Sequence, residues 1–189
     1  MAGEAMGRTI TPELARHIIG LGLKASQRLL FPDLERPDPE FLSAFHAAYR
    51  KTYEDGEDEI PLYDGAFELV ASLSRAGDTV AVATAKSRAG INRSLAKTGL
   101  DAFIRHSRTP EECRPKPDPQ MIRELIAETG FSADRTIMVG DTTHDLQMAI
   151  NAGVKAIGIS HGAHSHAELA ALDVSAVCRS IAELNQIFL

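Results

Sequence analysis

The chain has 189 residues, 44% hydrophobic and 24% charged, a globular mixture that excludes a disordered chain and is long enough to bury a core. Its 26 acidic and 20 basic residues leave a formal charge of −6, which argues against nucleic acid as a partner while leaving room for a local basic pocket for a small anion. Cys113 and Cys178, far apart and in no CxxC spacing, imply neither a disulfide framework nor a sulfur-rich metal site, and no apolar run is of secretory type or long enough to span a bilayer. The expectation is a cytoplasmic protein with no membrane partner and an oligomeric state that composition leaves open.

Residues 1–60 read as a partial, all-helical cap. Thr11 can cap a helix with Pro12 in its first turn, and Leu14, Ile18 and Ile19 follow at helical spacing. Gly20 and Gly22 punctuate the chain before a second helix over Lys24–Leu30. Asp38-Pro39 opens a third, whose apolar face is Phe41, Leu42, Phe45, Ala48, Tyr49 and Tyr53. The acidic run Glu54–Glu59 reads as a solvated linker.

Residues 61–189 read as an α/β core in which short strands alternate with helices. Strands are predicted at Thr79–Ala83, Ala102–Ile104, Thr136–Val139, Ala156–Ile159 and Ala176–Cys178. Helices are predicted at Gly65–Arg75, Arg88–Lys97, Gln120–Glu128, Asp145–Asn151 and Ile181–Ile187. Continuous apolar strands between amphipathic helices specify a parallel sheet covered on both faces. Gly77, Gly99, Gly130 and Gly153 each stand just beyond a helix, where a left-handed stop is cheap for glycine.

Ligands of such sheets bind outside the carboxyl ends of the strands, so the residues that follow the strands carry the chemistry. Thr84 follows the strand TVAVA, and Ala85, Lys86 and Ser87 lead into a helix; a hydroxyl and helix-start amides can hold a phosphoryl oxygen, or the threonine can act as a plain cap. Lys116 lies in Arg114-Pro115-Lys116-Pro117-Asp118-Pro119, where the prolines restrict the backbone; its ammonium could pair with a phosphate and a neighbouring carboxylate, or be a solvated charge on a rigid loop. In Val139-Gly140-Asp141-Thr142-Thr143-His144-Asp145, two carboxylates stand four residues apart at a strand-to-helix turn. Such hard oxygen donors suit Mg2+. Asp141 could bind the ion, with Asp145 orienting a water, Lys116 or a backbone group, or merely favouring the helix start. His161, His164 and His166 form HxxHxH, open to zinc on paper but better read as a loop bordering the cleft, with Ser165 capping the next helix.

Together these residues resemble the haloacid dehalogenase superfamily, most closely its phosphoglycolate phosphatase-like members with a helical cap. Ala81 to Ser87 is similar to the family's threonine motif, Lys116 with its prolines to its lysine motif, and Gly140-Asp141 through Asp145 to its acidic motif. Asp64-Gly65, Asn151 to Val154 and Gly162 to Ser165 extend the likeness over essentially the whole chain. The resemblance implies a Rossmann-like parallel sheet flanked by helices, Mg2+ as cofactor, and hydrolysis of a small phosphorylated metabolite. It also implies a first strand ending in DxDGT, whose first aspartate attacks phosphorus, lying centrally between the strands that end at Ala83 and Val139. No DxDGT occurs here. The expectation is therefore a sheet lacking its first central strand and a chain that, as written, is impaired or inactive. In it Thr84, Lys116, Asp141 and Asp145 are the surviving catalytic positions, Thr84, Ala85, Lys86 and Lys116 contact substrate, and Asp141 and Asp145 serve the metal. The alternative is a naturally shortened, non-catalytic homologue that binds a small anion or a protein partner. The resemblance brings the stretch Gly20 to Lys24 of the cap toward a leaving group; Arg16 or Arg50 could join it or could equally be exposed helix residues.

Overall fold

The computed structural model describes residues 11–21, 23–33, 39–41, 43–45, 47–48, 51 and 61–188. Expectations for Gly22, Leu42, Tyr49, Arg50, Tyr53 and the acidic run 54–59 lie outside the described residues. The chain divides into two compact units, Met1–Pro61 and Leu62–Leu189.

In the first unit, α1 (Pro12–Ile18) starts where Thr11 accepts the Leu14 N–H on its hydroxyl at 3.2 Å, which supplies one of the amides a helix start leaves unpaired. After α2 (Leu23–Leu30), the described positions between 39 and 51 are helical. A small aromatic core joins them: Phe31 meets Phe41 and Phe45 edge-on, with ring centres 5.1 and 5.7 Å apart, and Leu14 and Ile18 pack against that cluster.

The second unit is α/β. Its elements are α3 (Ala66–Ala76), β1 (Ala81–Ala83), α4 (Arg88–Thr98), β2 (His106–Arg108), α5 (Gln120–Thr129), β3 (Ile137–Gly140), α6 (Thr143–Ala152), β4 (Lys155–Ile159), α7 (His166–Ala170), β5 (Ala176–Cys178) and α8 (Ile181–Phe188). Gly77, Gly99, Gly130 and Gly153 close helices at φ between 72° and 95°, as their positions foretold. All pairings are parallel. β4 shows why its sequence is continuously apolar: Ala156 belongs to one core with Met121, Leu146 and Leu169, while Ile157 and Ile159 belong to another with Leu69, Ile181 and Leu184. Helices cover both of its faces, so both sets of alternate side chains are buried.

The described strands form two separate sheets, β1-β2 and β3-β4-β5. β1 and β3 both line a cavity of about 190 Å³, through Ala81, Ala83, Ile137 and Met138, with Ile122 and Ile126 of α5 on its wall. No described strand lies between β1 and β3, and a strand there would drop its side chains into this space, beside the buried Ile122 and Leu125 of α5.

One strand is not where the residue pattern places it. Ala102–Ile104 is not extended: a 3-10 turn, Leu100–Ala102, leaves Gly99, Ile104 is buried beyond it, and Phe103 stacks edge-on to Phe67 at 5.6 Å. The second strand is instead His106–Arg108, polar because Arg108 pairs with Glu124 and Glu128 and His106 with Glu128. An end strand whose side chains meet charged partners carries no apolar alternation for a sequence to display.

Candidate active site

The acidic turn is built by a capping box. Thr142 precedes α6 and its hydroxyl accepts the Asp145 N–H at 3.2 Å, while the Asp145 carboxylate accepts the Thr142 N–H at 3.2 Å and its hydroxyl proton at 2.7 Å. The other Asp145 oxygen pairs with the Lys116 ammonium at 2.5 Å. Both residues are buried, Lys116 at 8% and Asp145 at 4% exposure, so neither charge has bulk water as a substitute for its partner. Asn151 on α6 donates its side-chain N–H to the Pro117 carbonyl at 2.9 Å, a second tie from the same helix to the lysine loop.

Asp141 is held from the loop after β4. The Ala163 N–H donates to Asp141 Oδ2 at 2.9 Å, and the His164 N–H donates to the Asp141 carbonyl at 3.1 Å. His164 Nδ1 accepts the Thr143 N–H at 3.1 Å, so the same loop grips the turn on both sides of Thr142. Two glycines permit this closeness. A Cβ at Gly140 would overlap the Asp145 side chain, and one at Gly162 would overlap the Asp141 carboxylate. Tyr63 lies against His161 with ring centres 4.1 Å apart and the ring planes tilted by 45°. The Tyr63 phenol is pushed up from its ordinary value, first by burial and then by the Asp141 charge.

The threonine turn belongs to the other sheet. The Thr84 N–H completes the β1-β2 ladder on the Arg108 carbonyl at 3.1 Å, and the Thr84 hydroxyl accepts the Lys86 N–H at 3.1 Å. Ser87 then caps α4, accepting the Gly90 N–H at 3.0 Å. Lys116 and Asp145 are therefore joined directly and Asp141 stands in the same turn as Asp145, whereas Thr84, Ala85 and Lys86 extend from a strand with no ladder to β3.

Among the described residues there is no group of three or more His, Cys, Asp or Glu side chains arranged to hold a metal. The oxygen donors present suit a hard cation that keeps several waters and meets substrate phosphate, as Mg2+ does, rather than an ion needing a full protein cage. Ser165 caps α7 in a capping box with Glu168, as expected. The sequence assigned no role to the Ala163 amide, to the close approach of Gly162 or to Asn151 as a tie to the lysine loop; the signals were the likeness of 151–154 and 162–165 to the family and their place just beyond β4 or on the helix after the acidic turn. No described helix is long and apolar enough to cross a membrane.

The sequence profile of haloacid dehalogenase-like hydrolases matches residues 2–159. Pyrophosphatase PpaX of Bacillus velezensis is 33% identical over 114 residues, 59% of this chain and 53% of its own length, so the chain spans about half of that relative. A 5'-nucleotidase of Pseudomonas aeruginosa is 31% identical over 93% of the chain and 80% of its own length. A phosphoglycolate phosphatase of Agrobacterium fabrum is 30% identical over 81% of the chain and 67% of its own length. Among solved structures, a hydrolase from Pseudomonas syringae has a TM-score of 0.87 at 19% identity, over 98% of this chain and 88% of that one; at that identity the likeness is one of fold.

Proposed function

Since the chain belongs to the haloacid dehalogenase-like hydrolases, we propose that Thr84, Lys116, Asp141 and Asp145 are the phosphate-handling part of a magnesium-dependent phosphomonoester hydrolase site. The substrate class is a small phosphorylated metabolite such as phosphoglycolate. The observation that carries this reading is the buried Lys116–Asp145 pair in the same turn as Asp141, whose carboxylate is fixed by the Ala163 amide. A protein spends two desolvated charges in one turn where a polyanion is to be met more readily than where packing alone is required.

The roles follow from the hydrogen bonds. The Thr84 hydroxyl oxygen is occupied by the Lys86 N–H, which leaves its proton to donate to a phosphoryl oxygen, with the Ala85 amide beside it. Lys116 has three ammonium protons and gives one to Asp145, keeping the others for the phosphoryl group. Both Asp145 oxygens are engaged within the protein, so it serves by holding Lys116. Asp141 is the residue that would hold Mg2+ through the oxygen not bonded to Ala163. When bound, the ion neutralises charge on the phosphoryl oxygens.

The 189 residues contain no DxDGT, and none of the four site residues has the freedom and position of a replacement nucleophile. Turnover by these residues alone is expected to be impaired or absent. The separation of β1 from β3 favours, as a second reading, a non-catalytic homologue that binds a small anion or protein partner. Phosphate release from a panel of small phosphomonoesters with Mg2+, alongside an Asp141→Ala control and a calorimetric phosphate titration, tests both. Magnesium-dependent phosphate binding that Asp141→Ala removes supports the site. Turnover abolished by that substitution would refute impairment, and failure to bind phosphate would refute the phosphate-handling reading itself.

A further inference from the structure

We infer that Arg88 is a positioning residue that clamps the threonine turn to the segment delivering Lys116, an inference that rests on the phosphate-handling reading of those two residues. Arg88 is the first residue of α4, four positions after Thr84. Its Nε and Nη2 donate to the two carboxylate oxygens of Glu112 at 2.7 and 2.6 Å. Its Nη1 donates to the Ser107 hydroxyl at 2.6 Å and its Nη2 to the Ser107 carbonyl at 3.1 Å, while its backbone N–H donates to Glu111 Oε2 at 3.2 Å. The guanidinium thus spans from the helix after β1 to both β2 and the segment that follows it.

Glu112 is itself anchored in the turn that leads toward Lys116. It accepts the Thr109 N–H at 3.3 Å, Thr109 is fully buried, and the Glu112 and Cys113 N–H groups both return to the Thr109 carbonyl at 3.1 Å. The far end of the same segment is held from α5. The Arg114 N–H donates to Gln120 Oε1 at 2.9 Å, Gln120 donates to Glu124 at 2.7 Å, and Glu124 receives Arg108 Nε at 2.9 Å. Residues 109–114 are therefore fixed by α4 at one end and α5 at the other, and Lys116 follows two residues later.

A planar fork sets direction as well as distance, which a lysine at the same position cannot reproduce. The pair is about one-third exposed on each side, at 32% and 37%, so it contributes little to global stability. The hydrogen bond from Arg88 lowers the pKa of the Glu112 carboxyl from its ordinary value. A contact of small stabilising value that nonetheless engages all three guanidinium nitrogens is explained by placement: it sets the spacing of Thr84 from Lys116, which are offered by two separate loops.

The test compares the full chain with Arg88→Ala, Arg88→Lys, Glu112→Ala and the Arg88→Ala/Glu112→Ala double variant. Leu184→Ala, in the core of α8, serves as a control for lost stability. Two quantities are read: proton exchange of the Lys116 ammonium by 1H–15N NMR without ligand, and calorimetric affinity for inorganic phosphate with Mg2+. Arg88→Ala and Arg88→Lys should each speed ammonium exchange and weaken phosphate binding by about tenfold. Glu112→Ala should match them, the double variant should add little, and Leu184→Ala should lower stability while leaving both readouts in place. Full retention by Arg88→Lys would show that charge without the fork suffices and overturn the inference. So would unchanged ammonium exchange in Arg88→Ala, or the same change in Leu184→Ala. If the unsubstituted chain binds no phosphate, the proposed function falls, and ammonium exchange alone still decides the clamp.

Discussion

Replacing Lys116 with methionine keeps most of the buried volume and removes the charge that Asp145 faces. Asp145 is 4% exposed, and its remaining donors are the Thr142 N–H at 3.2 Å and hydroxyl at 2.7 Å. An ionised carboxylate stranded in this way costs about 3–5 kcal/mol. At roughly 2–4 °C per kcal/mol for a chain of this size, the expected fall in Tm is about 6–20 °C. Urea titration followed by circular dichroism measures the free energy, and the Lys116→Met/Asp145→Leu double variant completes a cycle. The double variant should recover part of the loss, because it removes both charges, but it forfeits the half of the α6 capping box that the Asp145 carboxylate supplies, while the Thr142 hydroxyl keeps the backbone N–H at position 145. A Lys116→Met chain within about 1 kcal/mol of the unsubstituted protein would refute the reasoning, since that is the range of an exposed pair.

Gly162→Ala must push the Asp141 carboxylate away from the Ala163 amide; a stability loss of about 1–3 kcal/mol should accompany weakened Mg2+ binding, measured by calorimetry. The Cys113 thiol is pushed up to about 11 by burial and then by its hydrogen bond to Glu124. The folded state therefore keeps a proton that the unfolded chain releases near pH 9, and the thiol's contribution is complete below that pH and lost as pH rises from about 9 to 11. About two units at 1.36 kcal/mol each gives roughly 2–3 kcal/mol, seen as a steeper alkaline loss of stability in the unsubstituted chain than in Cys113→Ala; parallel curves would contradict it.

The parts of the fold legible in the residues are those governed by short-range rules. The strand Ala176–Cys178 stands where its short apolar run places it, and the Thr11 and Ser165 caps follow from local side-chain chemistry. β2 was illegible because its side chains are chosen for ion pairs with α5, and those partners stand 16 and 22 positions away in the chain. The site divides in the same manner. Lys116 and Asp145 announce themselves by residue type and setting, and their union across the fold makes sense of both. The support for Asp141 comes from a backbone amide at Ala163, which no side-chain pattern encodes. Arg88 reads as an ordinary helix-start residue until the segment after β2 is folded against it.

The break between the two parallel sheets has a practical meaning for anyone handling this chain. A single five-stranded sheet would present two outer margins, whereas the described strands, in a two-stranded and a three-stranded piece, present four. The inner margins of β1 and β3 flank a hollow of mixed polar and apolar lining, and Ile137 is already 40% exposed. Backbone donors and acceptors on such margins recruit whatever extended chain is nearest, and in a concentrated solution that is another copy. Shelf life should therefore fall steeply with protein concentration, and solubility should be governed by this seam more than by the net charge of −6.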